Sequence, residues 1–78
     1  MFYVYLLKSE VDGSPYIGQT NNCSERLNRH NAGKAASTKS KKPWILVKFE
    51  EYPTRSESMW REHTLKTNTN ERKKFYGE

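Results

Sequence analysis

The chain holds one cysteine, Cys23, among 78 residues. A single thiol excludes an internal disulfide, and no Cys/His cluster has zinc-site spacing. The fold must stand without staples, which suits a reducing, cytoplasmic compartment. Long apolar runs are also lacking. The longest, Phe2 to Leu7, ends after six residues at Lys8. It is too short for a membrane span or a signal-peptide core, and no membrane partner is expected. Glycine and proline are ordinary, at 4 and 3, which excludes collagen-like and low-complexity classes. Hydrophobic residues reach only 33%, so the 13% aromatic content must carry much of the core. A chain of this length leaves no room for a second domain or a large enclosed pocket. It reads as a single domain over residues 1–78.

What is abundant is positive charge. Lys and Arg number 14 against 9 Asp and Glu, a net charge of +5. The excess points to a polyanionic partner, most often nucleic acid, although solubility alone would also account for it.

The order of elements is legible from patterning. Residues 2–7 are rich in β-formers and read as a strand buried on both faces. Asp12-Gly13 supplies a tight turn, and Ser14 to Gly18 reads as the returning strand, with Pro15 where no ladder N–H is needed. A symmetric turn centred on Asp12-Gly13 would set Ser9 opposite Tyr16 and Leu7 opposite Gly18. Tyr5 and Tyr16 would then share a face, with Tyr3 beside Tyr5. Asn22 as N-cap with Glu25 three residues on predicts a helix from Cys23 to about Ala32, closed by Gly33. Cys23, Leu27 and His30 fall on one side of it.

Residues 34–43 have no hydrophobic periodicity and carry Lys34, Lys39, Lys41 and Lys42, which reads as an exposed basic loop. Residues 44–52 predict a third strand, with Ile45, Val47 and Phe49 on one face and Trp44, Leu46, Lys48 and Glu50 on the other. Thr54 and Glu57 predict a helix from Arg55 to about Lys66. Met59 and Leu65 mark its buried side, and Glu62 lies at the border of that stripe. A short helix near residues 71–76 completes a β-β-α-β-α-α order. The expected fold is α+β: a small, mainly antiparallel three-stranded sheet flanked by two or three helices.

Four blocks carry a resemblance. Tyr3-Val4-Tyr5, Tyr16-Ile17-Gly18, the run Ser24 to Asn31 containing Arg26 and His30, and the run Arg55 to Lys66 containing Glu62 follow one another at fitting spacing. Together, over about residues 2–66, they resemble the GIY-YIG nuclease domain, and most of all its small stand-alone bacterial members related to the UvrC nuclease module. The first motif lacks its initial glycine. The position of the asparagine often found after the glutamate falls on Lys74, with Asn68 and Asn70 earlier.

The resemblance implies a metal-dependent endonuclease in a DNA-repair setting. Tyr5 and Tyr16 match the motif tyrosines, Arg26 the catalytic arginine, His30 an accessory histidine and Glu62 the metal ligand. The chemistry agrees residue by residue. The Arg26 guanidinium is a permanent charge with a fork shaped for phosphate oxygens. Glu62 can anchor Mg²⁺, or Mn²⁺ in its place, since magnesium commonly takes one or two protein carboxylates. A tyrosine acts as general base where nearby cations lower its pKa from about 10, and either Tyr5 or Tyr16 can take that role.

Arg29, Lys34, Lys39, Lys41 and Lys42 are the expected nucleic-acid contacts. DNA is expected ahead of RNA; because no recognition domain fits, the expectation is weak intrinsic specificity or a protein partner that supplies it. Taken singly, each residue has a plainer reading. The tyrosines would be sheet aromatics, and His30 a residue favourable to the helix dipole. Glu62 would be an i,i+4 partner of Lys66. Two rival readings of the whole follow: a nucleic-acid-binding module without catalysis, and a protein-interaction domain on the same scaffold.

Overall fold

The computed structural model describes residues 1–77, so the last residue of the expected 1–78 domain, Glu78, lies outside the described residues. The strands β1 (Phe2–Ser9), β2 (Pro15–Thr20) and β3 (Trp44–Tyr52) and the helices α1 (Cys23–Asn31), α2 (Arg55–Thr67) and α3 (Thr69–Tyr76) follow in the order β-β-α-β-α-α. One antiparallel sheet has the order β2-β1-β3. The central strand β1 is the one buried on both faces, as its unbroken apolar run requires.

Each helix begins where a side chain replaces the missing backbone acceptor. Asn22, Thr54 and Asn68 accept from the amides of Glu25, Glu57 and Glu71. Asn68 thus works as the cap of α3. Gly33 follows α1 with φ +76°, a left-handed conformation suited to glycine.

The hairpin register differs from the expected one by two residues. Leu7 pairs with Tyr16 and Tyr5 with Gly18. The turn is not centred on Asp12-Gly13; Gly13 is instead the last residue of a four-residue loop, closed by bonds between Ser9 and Ser14 and between Gly13 and Ser9. Asp12 accepts from the Ser14 amide. Hydrogen bonds from Ser14 and then the Lys41 ammonium hold the Asp12 carboxyl down to about 2. The loop length stays even, so Tyr5 and Tyr16 still share a face.

Strand β3 departs more deeply. Leu6 pairs with Lys48 but Leu7 with Leu46, so Val47 is an extra, bulged residue. One extra residue exchanges the two faces of a strand. Trp44 and Leu46 therefore pack beside Tyr5 and Leu7 under α1. Lys48, Glu50 and Tyr52 turn to the opposite face, where α2 and α3 lie. There Val4, Leu6, Ile17, Leu65 and Phe75 form a second cluster, joined by Tyr52. This corrects the expectation that Trp44, Leu46, Lys48 and Glu50 share one face. The ammonium of Lys48 sits 4.8 Å from the Phe75 ring centre. The Arg61 guanidinium bonds both oxygens of Glu50, at 2.8 and 3.3 Å, and reaches Glu71 at 3.3 Å. These contacts tie β3, α2 and α3 together.

On α2 the buried positions are Ser58 and Leu65. Met59 is 54% exposed, against the expectation of burial. The helix is set one position round from a Met59-centred stripe, with the Ser58 hydroxyl, bonded to the Arg55 carbonyl, on the buried side. Among the described residues, no helix is long and apolar enough to cross a membrane.

Candidate active site

The site forms on the α1 face of the sheet. Tyr5 stands at the middle of β1, directly opposite Gly18 on β2. Its ring lies over that glycine so closely that a Cβ there would overlap the phenol oxygen, with Tyr5 Cζ at 2.5 Å and Cε1 at 2.7 Å. Gly18 is not among the positive-φ residues, so the requirement is for space, not for an unusual backbone. The second motif therefore holds its glycine so that the first motif's tyrosine can cross the neighbouring strand.

From there the Tyr5 hydroxyl reaches His30 on α1, 3.1 Å from Nε2. His30 is buried, and its Nδ1 lies 2.7 Å from Thr38 Oγ1. Tyr16 is half-buried beside them, its ring centre 5.0 Å from His30 and 6.4 Å from Tyr5. Trp44 closes the floor, 6.1 Å from Tyr16, and Leu27 and Cys23 of α1 pack against the same cluster.

Electrostatics connect the other predicted residues to this pair. Burial, first, and then the positive charges of Arg26 and Arg29 push the His30 imidazole below its usual pKa, so it is neutral near pH 7. Burial pushes the Tyr5 phenol well above its usual range. Tyr16 and Glu62 add to that rise, while Arg26 opposes it. Arg26 is half-buried one turn before His30, and Glu62 is half-buried on α2. Both act on the same phenol from different helices. Glu62 also pairs with Lys66 across one turn at 3.5 Å. Burial likewise pushes the Cys23 thiol up, as befits a packing residue.

The donor set fits a hard cation held by few protein ligands. Among the described residues no group of three or more His, Cys, Asp or Glu could hold a metal. A zinc-type cage is therefore not what Glu62 belongs to. One half-buried carboxylate, its lysine partner weakly held, suits Mg²⁺ or Mn²⁺, whose remaining ligands are water and phosphate oxygens.

The lysine segment, expected as an exposed basic loop, exposes Lys34, Lys39 and Lys42 but is internally ordered and partly buried. It makes a 3₁₀ turn at Lys39–Lys41, and Thr38 within it is 1% exposed. The Trp44 indole donates to the Thr38 carbonyl at 3.0 Å. Asn31, at the end of α1, accepts from the Trp44 amide and donates to the Trp44 carbonyl. These internal bonds replace the hydrophobic periodicity the segment lacks.

Lys34, Lys39 and Lys42 are exposed, as is Arg29. Arg29 and Lys34 line one groove together with Glu25, Asn28 and Ala32. Lys41 stands apart. Its ammonium is bound 3.0 Å from Ser14 Oγ and 3.4 Å from Asp12, at the β1–β2 turn. Sequence reasoning missed Thr38, Asn31 and Trp44 as supports of the site. The available signal was a threonine inside a lysine-rich run, and a tryptophan just after it, where the run's other non-polar residues are two alanines and a proline.

The family model described as the GIY-YIG catalytic domain matches residues 1–75. A UPF0213 protein of Staphylococcus haemolyticus is 43% identical over 72 residues, covering 91% of this chain and 87% of its own length. A UPF0213 protein of Haloquadratum walsbyi is 40% identical over 77 residues, covering 97% and 85%. The solution NMR structure of a UPF0213 protein from Bacillus halodurans superposes with a TM-score of 0.57 at 33% identity, covering 97% of this chain and 82% of that one.

Proposed function

Because the chain belongs to the GIY-YIG catalytic-domain family, whose members are of nuclease type, we propose that it hydrolyses nucleic-acid phosphodiesters, DNA ahead of RNA. The observation that carries this reading is the buried contact between Tyr5 and a neutral His30, within the fields of Arg26 and Glu62.

Hydrolysis needs a water that loses a proton, a cationic cradle for the phosphate, and charge relief at the departing sugar oxygen. Burial makes a free Tyr5 phenolate costly. The Tyr5–His30 pair avoids forming one. As Tyr5 Oη takes the proton of the attacking water, its own proton moves to His30 Nε2. The obstacle is the charge of Arg26 and Arg29, which disfavours imidazolium. A bound phosphate offsets that charge, so His30 becomes the better acceptor when substrate is in place. Tyr16, half-buried beside the pair, orients water or phosphate. Arg26 holds the phosphate oxygens with its fork. Glu62 would hold Mg²⁺ or Mn²⁺, and the bound cation supplies positive charge to the phosphate and the leaving oxygen. The exposed Arg29, Lys34, Lys39 and Lys42 contact flanking backbone phosphates. A protein partner that supplies target specificity is part of this reading; it would add to the backbone contacts of the exposed lysines, which carry no sequence information.

The test is cleavage of duplex, branched and single-stranded DNA and of RNA with Mg²⁺ or Mn²⁺. Arg26→Ala should lower cleavage about 10²- to 10³-fold, as loss of a transition-state charge does. Glu62→Gln and EDTA should each abolish it. Absence of any cleavage that disappears in both variants overturns the reading. Salt-dependent binding unaffected by Glu62→Gln or EDTA would then make the protein a binding module.

A further inference from the structure

We propose that Thr38 is a positioning residue that selects the tautomer of His30, leaving Nε2 bare to accept the Tyr5 proton; this rests on the hydrolytic reading above.

The argument is one of donors and acceptors. A neutral imidazole carries one N–H, and its position decides which way the Tyr5 contact runs. Thr38 Oγ1 lies 3.3 Å from the Ala35 carbonyl and 2.7 Å from His30 Nδ1. A carbonyl oxygen only accepts. With the single hydroxyl proton of Thr38 donated to the Ala35 carbonyl, the hydroxyl lone pair is what faces Nδ1. Nδ1 must bring the proton to that contact, so Nε2 has none. The Tyr5 hydroxyl, 3.1 Å away, then donates to Nε2. The reverse arrangement would leave the Ala35 carbonyl without this donor. It would also make Tyr5 an acceptor, unable to pass its proton on.

Thr38 is held for this task by the fold around it. Its side chain is buried, its carbonyl takes the Trp44 indole N–H, and its amide donates to Ala35. The residue stands between Lys34 and Lys39, so the segment that carries the exposed lysines also sets the proton on His30.

The experiment reads the two histidines, His30 and His63, by ¹⁵N–¹H correlation of imidazole-labelled protein, with the exposed His63 as internal control. Above neutral pH the unaltered protein should show His30 with Nδ1 protonated and Nε2 bare. Thr38→Val, of the same shape without the hydroxyl, should convert His30 to a mixture of tautomers. It should also lower kcat about tenfold at little change in KM, the effect of one ordinary hydrogen bond. Thr38→Ser should restore both the spectrum and the rate. An Nε2-protonated His30 in the unaltered protein overturns the proposal, and so does a single Nδ1–H tautomer in Thr38→Val. If Thr38→Val does not fold, the spectra of the unaltered protein and of Thr38→Ser decide. The spectra need no substrate. A protein that cuts nothing but shows the predicted tautomer would refute the hydrolytic reading and leave the selection by Thr38 standing.

Discussion

Gly18→Ala is the sharpest perturbation of this site, because it adds one methyl and touches no charge. The new Cβ would overlap the Tyr5 phenol, with ring carbons at 2.5 and 2.7 Å, where an ordinary contact needs more than 3.4 Å. Tyr5 cannot swing aside freely: it is 2% exposed and hydrogen-bonded to His30. Overpacking of this kind costs about 1–3 kcal/mol. Displacing the ring loses the His30 bond, about 1 kcal/mol more. Alanine regains about 0.5–1 kcal/mol, because glycine is disfavoured inside a strand. The net loss is therefore about 1–3 kcal/mol, and Tm should fall by about 5–20 °C in a domain of this size.

Urea unfolding followed by circular dichroism measures the loss, and a double-mutant cycle isolates its cause. In a Tyr5→Ala background the same Gly18→Ala change should be neutral or stabilising, giving a coupling of about 1–3 kcal/mol. A Gly18→Ala protein within about 0.5 kcal/mol of the parent, or equal costs in the two backgrounds, would refute the steric account.

Acid should destabilise the fold through His30. Its folded pKa lies below the unfolded value of about 6.5, so this contribution is complete above pH 6.5 and is lost as pH falls through the folded value. His30→Asn should flatten the stability profile between pH 7 and 5; parallel profiles for the two proteins would contradict the assignment. Neutralising Lys34, Lys39 and Lys42 together should reduce the salt slope of DNA binding by about 2–3. Lys41→Gln should change it least, since its ammonium is already engaged by Asp12 and Ser14; fluorescence anisotropy across a salt series checks both. Arg61→Met should cost about 1–2 kcal/mol by urea unfolding, because it unpairs a half-buried Glu50 and loosens α3. An unchanged midpoint would show the network to be ornamental.

Much of this could be read before any coordinates. The six-residue apolar run specifies a strand buried on both sides, and the caps Asn22 and Thr54 mark where helices start. The spacing of the tyrosines, Arg26, His30 and Glu62 marks the family. These are local properties: propensity, capping and periodicity act within a few residues of chain, so they are written in its order. The face shared by Tyr5 and Tyr16 also survives a wrong register, because any even loop preserves parity.

The tertiary structure alone decided the rest. The bulge at Val47 leaves the alternation of β3 unbroken in sequence, yet it sends Trp44 to the site and Glu50 to the opposite face. The buried Thr38 sits in a run that composition assigns to solvent, and on α2 it is Ser58 that is buried while Met59 is exposed. Glycine 18 is needed for a ring on another strand, and the tautomer of His30 is set by a hydroxyl eight residues on. Each depends on which atoms meet across the sheet or between a helix and a loop, and such meetings have no fixed separation along the chain. Composition and spacing determined the family and the order of its elements; packing decided which side chains meet at the site.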